Sequence, residues 1–367
     1  MKIYNQLNVF KNVDYVILIP VIILIFWGVI NIYSASINEY PNLYIKQIIV
    51  GIVGIFLMLF LSTIELRKLI NISLILYGIG IMALLFVLIA GDMVLGAKRW
   101  INLGFFSLQP SEFMKVLVIL TTAYYLSDKK SPISFIDGLV ILLIASIPAF
   151  LTIIQPDLGT ALTIIFPVIF IIFVYGIKKR YIFGALLVMI ILSPYIWTHL
   201  KDYQKNRILA FINPEKDPLG TAYHIIQSKI AIGSGQITGK GFLNGTQSKL
   251  YFLPEQHTDF IFATIGEEWG FIATITILTI YMFLIGRILY WGIKIKDNTA
   301  KVVCFGAVAV LSFQAFINIA MTLGIAPVVG ITLPFLSYGG SSLLSFSILI
   351  GTVLSAVSTF RKEKIQF

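Results

Sequence analysis

Long apolar runs separated by short polar stretches dominate the chain. The first, Tyr15 to Tyr33, is uncharged over 19 residues, enough for a helix that crosses a bilayer. It lacks a small-residue cleavage site and reads as a retained first span. Apolar runs near 15–33, 45–63, 70–90, 112–126, 138–154, 159–176, 181–199, 269–287, 302–323 and 341–360 predict about ten spans. The fourth is short and carries Lys115. The fold class expected is therefore all-α: a polytopic membrane protein with one integral domain over 1–367. A large extracytoplasmic loop, 200–258, separates spans seven and eight. From Val302 to Phe360 there is no Asp, Glu, Lys, Arg or His, a stretch too long for one helix. Its middle, Gly324 to Gly340, holds PVVG and LPFLSYGG. Irregular backbone at membrane depth survives only when buried in protein or lining a wet cavity, so this segment is expected to be re-entrant or to cap a cavity.

Composition agrees: 58% of the 367 residues are hydrophobic and 12% charged, about half the usual charged share of roughly 25%. The net charge of +10 does not call for nucleic acid, because the basic residues follow the topology. With a cytoplasmic N-terminus, Lys2, Lys11, Arg67, Lys68, Lys129, Lys130, Lys178, Lys179, Arg180, Arg287, Lys294, Lys296, Lys301, Arg361, Lys362 and Lys364 fall inside. The short outer loops carry Lys98 and Arg99, with Lys46 at a span edge. An even number of spans puts both termini in the cytoplasm. Cys304 is the sole cysteine, so no intrachain disulfide can form, and it reads as packing. The histidines, His199, His224 and His257, make no helical zinc pair, and no metal ligand is assigned.

On this topology the unusual chemistry faces outward. AYHIIQSKIAI, from Ala222, reads as a short amphipathic helix near the membrane surface. GSGQITGKG follows, failing the Walker spacing. It is a flexible turn or a backbone cradle that helps Lys240 hold a pyrophosphate. FLPEQHTDFIF then sets His257, Thr258 and Asp259 before an apolar run. Asp259 is either a helix N-cap or a functional acid at the bundle's mouth. Glu112 and Lys115, spaced i,i+3, share a helix face and serve as an internal ion pair or a substrate contact. Arg99 and Arg207 suit bidentate phosphate recognition or remain solvated surface charges.

GAKRWINLGFFSLQPSE, QPDLGTA, AYHIIQSKIAIGSGQITGKGFLNGTQ, FLPEQHTDFIFATIGEE and PVVGITLPFLSYGGSS resemble, in order, the signature blocks of the SEDS family (shape, elongation, division and sporulation). The FLPEQHTDFIF form and the GTQSKL lead-in are closer to its elongation member than to its division member. Gln236 stands where the family often has a second Gly, and PVVG replaces the commoner PVTG.

The resemblance implies a peptidoglycan glycosyltransferase in the bacterial plasma membrane that joins lipid II units into strands beside a class B penicillin-binding protein. It implies that Asp259 is the essential acid and that Arg99, Glu112, Lys115, Asp157 and Arg207 match polar positions of an outer cavity. Such chemistry needs a base on the acceptor hydroxyl and positive charge on the departing pyrophosphate, from Lys and Arg or from a divalent cation, Mg or Mn. The competing classes are a lipid II flippase and a non-catalytic partner of the penicillin-binding protein. A flippase calls for charge through the depth of the bundle, whereas here the mid-span positions are largely apolar.

Overall fold

The computed structural model describes residues 13–37, 40–94, 97–102, 104, 107–213, 222–250, 252–253 and 255–365. Lys2, Lys11 and Gly96, and residues 214–221 of the long loop, lie outside this set. The helices are α1 (Tyr15–Ser36), α2 (Leu43–Thr63), α3 (Leu66–Asn71), α4 (Ser73–Ala90), α5 (Pro110–Tyr125), α6 (Phe135–Ile154), α7 (Leu158–Tyr175), α8 (Lys179–His199), α9 (Asp202–Ile212), α10 (Tyr223–Ser234), α11 (Thr246–Lys249), α12 (Ile261–Lys294), α13 (Asn298–Thr322) and α14 (Gly340–Ile365). In lipid every backbone amide must pair within the chain, so apolar runs become helices. Among the described residues, eight helices are long and apolar enough to cross a membrane: α1, α2, α4, α6, α7, α12, α13 and α14. The chain is thus a multi-pass membrane protein. Of the other expected spans, α5 is helical but only 16 residues long, and some side chains of α8 lie outside the described set.

Side-chain caps start several helices. Asp157 Oδ1 accepts the Thr160 amide at the head of α7 (3.0 Å). Asp297 accepts that of Ala300 before α13 (2.9 Å), and Ser134 and Asp137 form a capping box on α6. Burial separates centre from rim: α13 and α14 are 78% buried along their spans, α4 only 22%. The central helices approach closely through small residues. A Cβ at Gly54 would lie 2.5 Å from Ser347 Oγ, and one at Gly306 would lie 2.6 Å from Ile119.

Two features depart from the sequence expectation. A small antiparallel sheet, β1 (Asp92–Val94), β2 (Ala97–Asn102) and β3 (Ser107–Leu108), fills the connection between α4 and α5. The GAKRW block therefore includes a strand, a local addition to the all-α architecture. The eighth span also begins at Ile261, not near 269, because Glu267 and Glu268 are paired and buried instead of ending the helix. The helix breaks only at Gly270 (φ 71°, ψ −166°).

The loop from α10 to α11 repairs that break. Phe271 N–H donates to Gln236 O (2.9 Å) and Ile272 N–H to Ile237 O (3.2 Å), while Lys240 and Gly241 N–H donate to Glu267 O (3.0 Å) and Glu268 O (2.9 Å). Freed backbone groups in a membrane helix are re-satisfied in this way by a neighbouring segment. Gly239 is needed here: its φ is +80° and a Cβ would lie 2.2 Å from Glu268 O. GSGQITGKG is therefore neither a loose turn nor an open cradle. α10 likewise does more than lie on a surface, burying Ile225, Ser228 and Ala231, with Ser228 Oγ donating to Thr322 O (2.7 Å).

Candidate active site

Asp259 lies in a tight turn just before α12. The amides of Thr258, Asp259 and Phe260 all donate to Glu255 O (3.2, 3.1 and 3.3 Å), with Glu255 at φ 50°. Thr258 Oγ1 donates to Glu255 Oε2 (3.0 Å). The N-cap of α12 is Phe260, and no side chain caps it, so the Asp259 carboxylate is not consumed as a cap. Asn318 Nδ2 of α13 donates to Asp259 O (2.9 Å) and to Ile331 O (2.7 Å). One amide thus ties the turn to the PVVG linker. A Cβ at Gly330 would lie 3.4 Å from Asp259 Oδ2, so linker backbone borders the acid.

Among the described residues, no hydrogen bond reaches the Asp259 carboxylate. The residue is half-buried by area, but the packing around it strips the carboxyl of water. Desolvation, reinforced by the negative charges of Glu255 and Asp157, raises it to about 7, against the opposing pull of Arg207 and Arg99. Arg99, Asp157, Arg207 and Glu255 are therefore near enough for their charges to act on Asp259.

β2 delivers Arg99 to the N-terminus of α7. Its Nε and Nη2 donate to Gln155 O (3.1 Å) and Pro156 O (2.6 Å), and its Nη1 lies 3.8 Å from Asp157 Oδ2. Asp157 also accepts from Gln109 Nε2 (3.0 Å) and Thr160 Oγ1 (2.9 Å). Burial raises its carboxyl, partly offset by Arg99. Deeper in, Lys115 Nζ is buried 2.7 Å from Glu112 Oε2 and 3.1 Å from Gln314 Oε1. Gln314 in turn donates to Thr332 O (3.2 Å), so the pair braces α5, α13 and the linker together.

Lys240 and His257 take other partners. Lys240 Nζ is 2.7 Å from Glu267 Oε1, and that carboxylate also accepts the amides of Thr246, Gln247 and Ser248 (2.8, 2.9 and 3.3 Å). Lys240 thus holds the loop to α12. His257 instead joins an aromatic corner with Tyr40 and Tyr338. His224 stacks on Phe260 (centroids 6.0 Å, planes 11° apart). Burial and Arg207 hold its imidazole below the ordinary range, against Glu255. Sequence reasoning passed over Glu255 and Gln109, both inside quoted motifs. It also passed over Gln314 and Asn318, whose i,i+4 spacing on the charge-free stretch was a legible sign of one polar face. No group of three His, Cys, Asp or Glu side chains able to hold a metal occurs among the described residues. Of the carboxylates near Asp259, that of Asp157 is already engaged by Gln109, Thr160 and Arg99.

A family model described as "Cell cycle protein", FtsW/RodA/SpoVE, matches residues 14–363. The chain belongs to this family. FtsW/RodA/SpoVE relatives span it almost entirely. Peptidoglycan glycosyltransferase MrdB of Escherichia coli strain K12 is 38% identical over 96% of this chain and 95% of its own length. Stage V sporulation protein E of Bacillus subtilis strain 168 is 37% identical over 93% and 96%. Among solved structures, a chain from work on the structural coordination of polymerization and crosslinking by a peptidoglycan synthase complex aligns with a TM-score of 0.82. It is 30% identical and covers 97% of this chain and 99% of that one. The rod shape determining protein RodA of Thermus thermophilus aligns at a TM-score of 0.70, 27% identical, over 94% and 96%.

Proposed function

We propose that this protein is a peptidoglycan glycosyltransferase that polymerises lipid II on the outer face of a bacterial plasma membrane. The observation that carries the proposal is the Asp259 carboxylate, within the electrostatic reach of Arg207 and Arg99 and unclaimed by any described donor. A base of that kind takes the proton of the acceptor 4-hydroxyl as the oxygen attacks the anomeric carbon of the donor sugar. The carbon–pyrophosphate bond breaks on the opposite face, so an α-linkage becomes β. A carboxyl poised near neutral pH is well matched to this step. Arg207 and Arg99 supply positive charge for the departing pyrophosphate. Arg99, pinned to Gln155 and Pro156, needs no reorganisation to do so. The polyprenyl tail stays in lipid, which accounts for an active site carried by membrane helices.

The basic short loops support an orientation with both termini cytoplasmic and the Asp259 rim outside. The names of the relatives support the reaction class. The synthase complex among the solved structures supports a class B penicillin-binding protein that crosslinks the strands as partner. The test is purified protein in liposomes with lipid II, products resolved on a gel. The unmutated chain makes strands and Asp259→Asn does not, while the variant stays folded and melts no lower than the unmutated chain. Normal strands from Asp259→Asn would exclude the base role, and transbilayer movement of lipid II without strands would favour a flippase.

A further inference from the structure

Rings from distant parts of the chain meet at His257, two residues before Asp259. Tyr40 comes from the connection between α1 and α2, His257 from the turn two residues before the acid, and Tyr338 from the linker ahead of α14. The Tyr40 and His257 rings lie 5.9 Å apart with planes at 51°, and those of His257 and Tyr338 lie 5.8 Å apart at 59°. The corner is fixed by backbone: Tyr338 N–H donates to His257 O (2.8 Å), and Gln47 Nε2 of α2 donates to Ser337 O (3.2 Å). Tyr338 is half-buried, with burial raising its phenol, whereas Tyr40 is 48% exposed. An aromatic ring such as Tyr40, packed on His257 yet left half in solvent, adds little to a core. It offers a face.

The chemistry of such a face is specific. The electron-rich face of an aromatic ring attracts weakly positive C–H groups. A β-linked N-acetylhexosamine presents a patch of axial C–H on each face of its ring and hydroxyls around its edge. A tilted row of phenol, imidazole and phenol rings can therefore cover successive sugars and meet their hydroxyls at its margins. We infer that Tyr40, His257 and Tyr338 form a saccharide-stacking platform that holds N-acetylhexosamine rings of the glycan next to Asp259. This rests on the glycosyltransferase reading, to which it adds a subsite and the class of ligand that fills it. The platform aligns a strand end with the acid, so these are positioning residues and not catalytic ones.

The probe is a soluble β-1,4-linked N-acetylhexosamine tetrasaccharide, titrated calorimetrically into the full-length protein in detergent. A lost aromatic contact of this kind is worth about 0.5–1.5 kcal/mol, or roughly a 2–12-fold change in Kd. Tyr40→Leu, which keeps bulk and removes the ring, weakens the tetrasaccharide by that factor, and Tyr40→Phe recovers most of the loss. Tyr338→Leu weakens it too, with melting temperatures recorded for every variant. No measurable binding to the unmutated protein, or equal binding by unmutated protein and Tyr40→Leu, overturns the platform. Because Tyr40 is exposed, loss of fold does not confuse that comparison. Lipid II polymerisation by the same preparations separates the two claims. Strands together with ring-independent binding leave the enzyme standing and remove the platform. Ring-dependent binding without strands does the reverse.

Discussion

Two carboxylates at opposite ends of the same helices show how this bundle uses buried charge. Asp14, ahead of α1, is saturated. Its Oδ2 accepts from Arg287 Nη2 (2.8 Å), Arg361 Nη2 (3.2 Å) and the Trp291 indole, and its Oδ1 caps Val16 N–H (3.1 Å). Those partners lie near the C-terminal ends of α12 and α14, so one acid ties three helices together. Asp259, at the other end of α12, has dense protein around it and no described donor. A saturated carboxylate is spent on structure. An unsaturated one holds its proton more tightly and is available to a substrate. Glu267, with Lys240 and three backbone amides, belongs with Asp14, although it lies only two turns from Asp259.

Mutation should divide the two kinds cleanly. The largest effect is on rate: Asp259→Asn lowers polymerisation by roughly 10²–10⁴ when a placed base is lost, with the fold intact. Glu267→Ala and Asp14→Ala do the opposite, leaving buried or partly buried cations without their acid. Removing one member of a buried pair costs about 3–5 kcal/mol, read as a lower melting temperature in detergent before any assay. Glu112→Ala strands the buried Lys115 in the same way, with some compensation from Gln314. A fall in activity at unchanged stability would move Glu112 from brace to substrate contact.

The pH dependence of stability is the most diagnostic. A carboxyl held near 7 in the folded protein and near 4 when unfolded binds more protons folded over that interval, so stability declines as pH rises from about 4 to about 7. Asp259→Asn removes that decline. The variant should melt higher than the unmutated protein above pH 7, and the gap should close toward pH 4. An Asn variant that melts lower at pH 8 would show that Asp259 supports the fold after all.

Most of the helical plan was legible because a bilayer leaves the backbone few alternatives. Each expected apolar run is helical, with α12 extending eight residues earlier than its run. The small sheet at 92–108 was hidden because its strands are too short for alternation to register. The fate of Lys240 was hidden for a different reason. Its partner, Glu267, lies 27 residues away in sequence, and only the break at Gly270 brings their segments together. The Glu112–Lys115 pair was readable because helical spacing alone sets it. The convergence of Arg99, Asp157 and Asp259 depends on three separate connections meeting, which no local pattern encodes. The Tyr40–His257–Tyr338 corner is of the same kind.

The pH dependence of strand synthesis by the unmutated protein reports most directly on the state of the Asp259 carboxyl. With lipid II held well below KM in liposomes, so that the initial rate reports kcat/KM, the rate should climb tenfold per pH unit below the midpoint and level off above it, with the inflection near pH 7 where desolvation sets this acid. A rate already flat from pH 5 upward would mean an ordinary, solvated carboxylate at position 259 and would contradict the account.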